Sequence, residues 1–153
     1  MGIFKKGENQ ISSIVKEQLK ASGGKALMPT LRGSPIAFWL SATGMGIETD
    51  KLPGYILQWE HFDEVVKKAN SLGGRMYRED VLAQNSGKLG EEISHDSMEG
   101  FIASELLFIE DGMSVTRRST YYSGILAWAG IVTIHKSQGN GSFITVNSKY
   151  RNI

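Results

Sequence analysis

Apolar residues first recur at helical spacing, with Ile11, Ile14, Val15 and Leu19 at i, i+3, i+4 and i+8. This predicts a short amphipathic helix over residues 8–21, stopped by Gly23-Gly24. From Lys25 to Trp59 the period shortens toward two, with apolar runs Ile36-Ala37-Phe38-Trp39-Leu40 and Tyr55-Ile56-Leu57 separated by Gly44, Gly46 and Pro53-Gly54. A small antiparallel meander is expected there. Phe62, Val65, Val66, Ala69 and Leu72 restore the helical period, and Gly73-Gly74 supplies a stop that tolerates left-handed backbone. Arg75-Met76-Tyr77 is long enough only for a bridge or a very short strand, followed by a brief helical piece over residues 79–84. Residues 85–96, with Asn85, Ser86, Gly87 and Gly90 and no apolar period, predict an exposed loop.

The C-terminal third carries the strongest pattern. Ser97 is placed to cap a helix with Met98, Phe101, Ile102, Leu106 and Ile109 on one face, broken by Asp111-Gly112. After a turn of a few residues, a second helix is expected from Ser114. It buries Val115, Ser119, Tyr122, Leu126 and Ala129, turns Arg117, Thr120, Tyr121 and Gly124 outward, and ends at Gly130. The β-branched runs 131–135 and 142–146 flank the glycine-bearing segment 136–141, which suits a hairpin. The order is helix, turn, helix, hairpin.

A chain of 153 residues with 41% hydrophobic and 22% charged content is long enough to bury about 70% of its unfolded surface and is too polar for a bilayer span. With no cysteine there is neither a disulfide framework nor a thiolate zinc site. The first residues lack the apolar segment of a secretory signal, and Lys6 stands where myristoylation needs Ser or Thr, so a cytoplasmic protein is expected.

The net charge of +1 conceals a strong asymmetry. Residues 1–54 carry seven basic and four acidic side chains, residues 55–113 five and twelve, and residues 114–153 five and none. The acid-free end holds Arg117, Arg118, Lys136, Lys149 and Arg151, with Tyr121, Tyr122, Trp128 and Phe143 interleaved. That is the footprint of a polyanion-binding surface, unless the acidic middle neutralises it across an internal contact.

A basic second helix leading through a glycine into a two-stranded wing resembles the winged helix-turn-helix family, over roughly residues 60–150. Within it, residues 117–131 (RRSTYYSGILAWAGI) look most like winged modules of restriction-modification and other mobile-element proteins. The resemblance implies an α+β fold in which residues 60–153 form the winged domain, with an inserted loop 85–97, preceded by a helix and β-meander in residues 1–59. It implies duplex DNA as partner, a recognition helix over 114–129 in the major groove and a wing over 131–146 along the phosphates.

The residues support the same reading on their own chemistry. Ser114 and Thr116 at a helix start would offer free amides to a phosphate, with Arg117 and Arg118 adding charge one turn in. Arg117, Thr120 and Tyr121 would face the groove, where Arg pairs with guanine and Thr meets a thymine methyl, while Lys136, Gln138 and Asn140 are donors on the wing. The rival reading is a protein-interaction module, an accessory or inhibitor of a nuclease or defence complex, docking through the acidic middle.

Catalytic patterns are absent or incomplete. No Asp or Glu is followed two positions later by Lys, and His61, His95 and His135 lack the i, i+4 spacing of a zinc pair and are expected at the surface. Gly44-Met45-Gly46 lacks a third glycine, Gly23-Gly24-Lys25 is not a phosphate loop, and the Ser-x-x-Lys matches at Ser13 and Ser22 have no partner motif. A non-enzymatic protein without cofactor or metal is expected.

Overall fold

A computed structural model describes residues 10–30, 33–78, 87–136 and 141–152. Helix α1 (Gln10–Ala21) buries Ile11, Val15 and Leu19, as its spacing requires, and Gly23 and Gly24 at positive φ end it. The predicted meander forms as a four-stranded antiparallel sheet in chain order: β1 (Lys25–Met28), β2 (Ile36–Leu40), β3 (Gly46–Thr49) and β4 (Leu57–Gln58). Helix α2 (Trp59–Ser71) follows and turns Phe62, Val65, Val66 and Ala69 into the core.

A second sheet is assembled from distant parts of the chain. β5 (Arg75–Tyr77) pairs antiparallel with β7 (Ser142–Val146), which pairs antiparallel with β6 (Val132–Lys136), giving the order β5-β7-β6. The hairpin thus forms as its β-branched runs predict, and Arg75-Met76-Tyr77 is its third strand. Between β5 and β6 lie α3 (Met98–Phe101), which continues as a π-helical turn (Ile102–Leu106), and α4 (Ser119–Trp128). The protein is therefore mixed α+β with two antiparallel sheets. One apolar core joins the halves on either side of residue 59, running from Ile11 and Phe38 through Phe62 and Tyr122 to Ile144 and Tyr150. Among the described residues no helix is long and apolar enough to cross a membrane.

Four local expectations are corrected. The helix capped by Ser97, whose Oγ accepts from the Gly100 N–H at 3.0 Å, ends at Leu106 and does not reach Ile109. Its last turn is π-helical, and Phe108 at φ 59° carries the chain away. The connection to α4 is residues 107–118, not a short turn. Residues 87–93 are not a fully exposed loop, because Leu89 and Ile93 are buried with Ala103 and Val115 in a small second core beneath Ile109. Finally, the second helix starts at Ser119, five positions later than its apolar spacing suggests. Ser114 bridges Lys88, and the Val115 N–H donates to Gly87 O at 3.0 Å, so these residues continue an extended segment. The expected helical piece over 79–84 lies outside the described residues.

Candidate nucleic-acid interface

The start of α4 is organised by a residue that charge patterning alone does not single out. The helix has no acidic residue in its first turn and no capping side chain at its own N-cap, Arg118. Glu99, 2% exposed, reaches across from α3 instead. Its Oε1 accepts from the Arg118 N–H at 2.6 Å and the Ser119 N–H at 3.1 Å, and its Oε2 accepts from Ser119 Oγ at 2.8 Å. Burial raises the Glu99 carboxyl above its ordinary range, against these hydrogen bonds and the nearby Arg117. The carboxyl group of Glu99 thus occupies the position where a helix N-terminus would otherwise take a phosphate oxygen.

Most of the surface of α4 is engaged. Tyr122 is fully buried, its ring against Phe62 at a centroid distance of 5.1 Å, and its hydroxyl lies 3.2 Å from His61 Nδ1 and 3.3 Å from Tyr55 Oη. His61 is therefore not a surface histidine, and burial pulls its pKa down against the adjacent Glu60 and Glu64. Arg78, at the end of β5, is 4% exposed; its Nη1 donates to Ser123 Oγ at 2.8 Å and its Nε to Ser142 Oγ. Gly124, expected to face outward, is buried against the Met28 side chain of β1. A residue without a side chain gives no polarity signal, and here it is what lets the first sheet approach the helix. Trp128 meets Phe38 of β2 edge to face at 5.0 Å. No residue of α4 is fully exposed.

The predicted contact residues distribute accordingly. Ser114 and Thr116 are exposed but stand on the extended segment before the helix, not at its start, which corrects the expectation that their neighbouring amides are free. Arg117 and Arg118 are half-buried on the same approach; the Arg118 guanidinium lies 5.0 Å from the Tyr55 ring centroid and Nη1 donates to Thr116 O. Thr120 and Tyr121 are half-buried, and burial raises the Tyr121 pKa. Lys136 is exposed at the end of β6, and Gln138 and Asn140 lie outside the described residues.

No family model, curated protein or solved structure matches the chain. Function therefore rests on geometry and chemistry alone. Among the described residues, no group of three or more His, Cys, Asp or Glu is placed to hold a metal ion. His95 instead sits at the surface with Nε2 2.7 Å from Asp111 Oδ1. Two of the residues that matter most, Glu99 and Arg78, carry weak sequence signals. Glu99 precedes the buried Ile102 and Ala103 by three and four positions, so it is a carboxylate inside an apolar stripe. Arg78 has no such pattern.

Proposed function

We propose that this chain is a non-enzymatic, duplex DNA-binding protein of winged helix-turn-helix type. The observation that carries the reading is connectivity: α2 precedes β5, the helical segments α3 and α4 lie between β5 and β6, and β7 returns between them in the order β5-β7-β6. That is the order of elements in a winged helix, here in the part of the chain where the last forty residues hold five cations and no acid. The enclosure of α4 refines how such a protein would bind. With Gly124 and Trp128 against the first sheet, only the half-buried side chains of Thr120 and Tyr121 are left on that side of the helix to approach a groove. Arg117 at its approach and Lys136 on the wing are then phosphate contacts, and shape counts for more than base identity.

Binding to mixed duplex DNA should weaken with salt at a log–log slope of about −2 to −5, a handful of released counterions. Arg117→Ala and Lys136→Ala should weaken all duplexes alike and leave melting temperature unchanged, as measured by fluorescence polarisation on two unrelated sequences. Absence of binding at low salt would end the reading.

One observation favours the rival, a protein-interaction module serving a nuclease or defence complex. The connection before α4 holds Phe108 82% exposed and Met113 53% exposed, within the acidic segment 55–113. Exposed apolar side chains beside acidic ones suit a basic protein surface.

A further inference from the structure

The three-stranded sheet has one face toward the core and one face open. Met76, Ile144 and Ile134 form a cross-strand row on the inner face, the first two fully enclosed. On the other face, register places Tyr77, Phe143 and His135 side by side across β5, β7 and β6, with Arg75, Thr145 and Thr133 as the next row. This row is not a core. Arg75 and Thr133 are exposed, Tyr77 is 40% exposed, and Phe143 and His135 are half-buried.

The side chains form a column. From the β6 side, the His135 ring stacks on Phe143 at 4.9 Å with only 11° between planes. From the β5 side, the Arg75 guanidinium lies 4.0 Å from the Phe143 centroid, and its Nη2 donates to Tyr77 Oη at 3.0 Å. Tyr77 completes the row at 5.5 Å from Phe143. The two threonine hydroxyls are already engaged, Thr145 with His135 and Thr133 with Asn147. The Arg75 guanidinium also lies 5.3 Å from the Tyr77 ring centroid, so that end of the column is closed by Tyr77, whereas the His135 imidazole has no ring other than Phe143 against it among the contacts of the described residues.

Among the described residues, β5, β6 and β7 carry no acidic side chain, and the Arg151 guanidinium lies over Gly74 next to Arg75. Partly exposed rings beside arginine side chains are what unpaired bases and their phosphates require: a base adds to the column at the His135 end and the backbone runs toward the arginines.

From this we infer a second nucleic-acid site, on the open face of the β5-β7-β6 sheet, that takes single-stranded DNA by stacking its bases onto the Arg75–Phe143–His135 column. It is separate from the approach to α4 and does not depend on duplex binding there. Both threonine hydroxyls already have a partner in the fold, so stacking of bases rather than recognition of a ribose 2′-hydroxyl carries the binding.

The test is fluorescence anisotropy of the full chain with labelled oligothymidylate, an abasic oligomer of equal length, oligouridylate and a hairpin duplex, at low salt. Oligothymidylate should bind at least about tenfold more tightly than the abasic oligomer, in keeping with the usual contribution of a stacked base. Phe143→Leu keeps apolar volume and removes the ring, and Arg75→Lys keeps the charge and removes the plane; each should lose about tenfold for oligothymidylate. Should Phe143→Leu melt early, Arg75→Lys and His135→Ala carry the comparison. Arg117→Ala should leave oligothymidylate binding unchanged, which separates this site from the duplex reading. Equal affinity for the abasic oligomer, wild-type binding by Arg75→Lys together with either ring variant, tighter binding of oligouridylate than oligothymidylate, or no single-strand binding at all would each overturn the proposal.

Discussion

Tyr122→Ala should lower the free energy of unfolding by about 3–5 kcal/mol, the cost of emptying a large aromatic site in a core that relaxes only partly. Among the described residues Tyr122 is the bulkiest fully buried side chain, and it joins parts far apart in sequence. Phe62 of α2 packs on its ring, His61 and Tyr55 meet its hydroxyl, and burial pushes its own pKa up, so it stays a neutral phenol throughout the accessible range. Tyr122→Phe isolates the polar part: it keeps the ring contacts, removes the oxygen between His61 and Tyr55, and should cost only about 1–2 kcal/mol. Tyr121→Ala, one position along, should cost under about 1.5 kcal/mol, because Tyr121 is half-buried at the edge of the same core. Urea denaturation of the three variants checks this order. A Tyr121→Ala cost larger than that of Tyr122→Ala would mean that α4 is rotated about its axis from the orientation described.

What the chain discloses without coordinates follows the range of the interaction. Helices α1 and α2 rest on apolar periodicity within a dozen or so residues and on the glycines that stop them, and both are legible. The β6–β7 hairpin is legible for the same reason, since its register is a local matter of two β-branched runs and a glycine-bearing connection. β5 is different. Three residues cannot declare a period, and its partner β7 lies far along the chain, so Arg75-Met76-Tyr77 becomes a strand only when the hairpin is present to receive it. The aromatic row follows from that pairing and is invisible without it.

The start of α4 shows a local signal overridden by distant ones. Ser114 is a good capping residue, and Val115, Ser119, Tyr122 and Leu126 fit a helical stripe, so local rules place the start there. All four are indeed buried or at the boundary they suggest, except that Val115 reaches its own small core from extended backbone. The deciding contacts are the bridge from Ser114 to Lys88 and the carboxylate of Glu99, neither of which is within reach of a pattern read along one helix. The same distance explains the candidate interface. Thr120, Tyr121 and Gly124 do share one side of α4, but Arg117 stands before the helix, and the first sheet packs onto that side through Met28 and Phe38 and buries Gly124.

Glu99 is where the largest polar effect is expected. Glu99→Ala should cost about 2–4 kcal/mol, because it removes the cap of α4 and leaves buried donors at Arg118 N, Ser119 N and Ser119 Oγ without their acceptor. Glu99→Gln retains one carbonyl oxygen for the backbone amides and turns an amide group toward the other, so it should fall between wild type and Ala. The pH dependence separates a structural carboxyl from a simple salt-like contact. Burial raises the folded-state pKa of Glu99 above its value in the unfolded chain, so the folded state holds this proton more tightly. Its stabilising contribution is then complete below the ordinary carboxylate range and is lost as pH rises through the raised folded value. Glu99→Gln has no such titration. Its deficit relative to wild type should therefore be greatest in acid and should shrink as pH rises toward neutrality, measured by denaturation at a series of pH values within the stable range. A deficit that grows with pH instead would mean that the hydrogen bonds from Arg118 and Ser119, together with Arg117, outweigh burial, and that α4 is capped by a carboxylate held ionised.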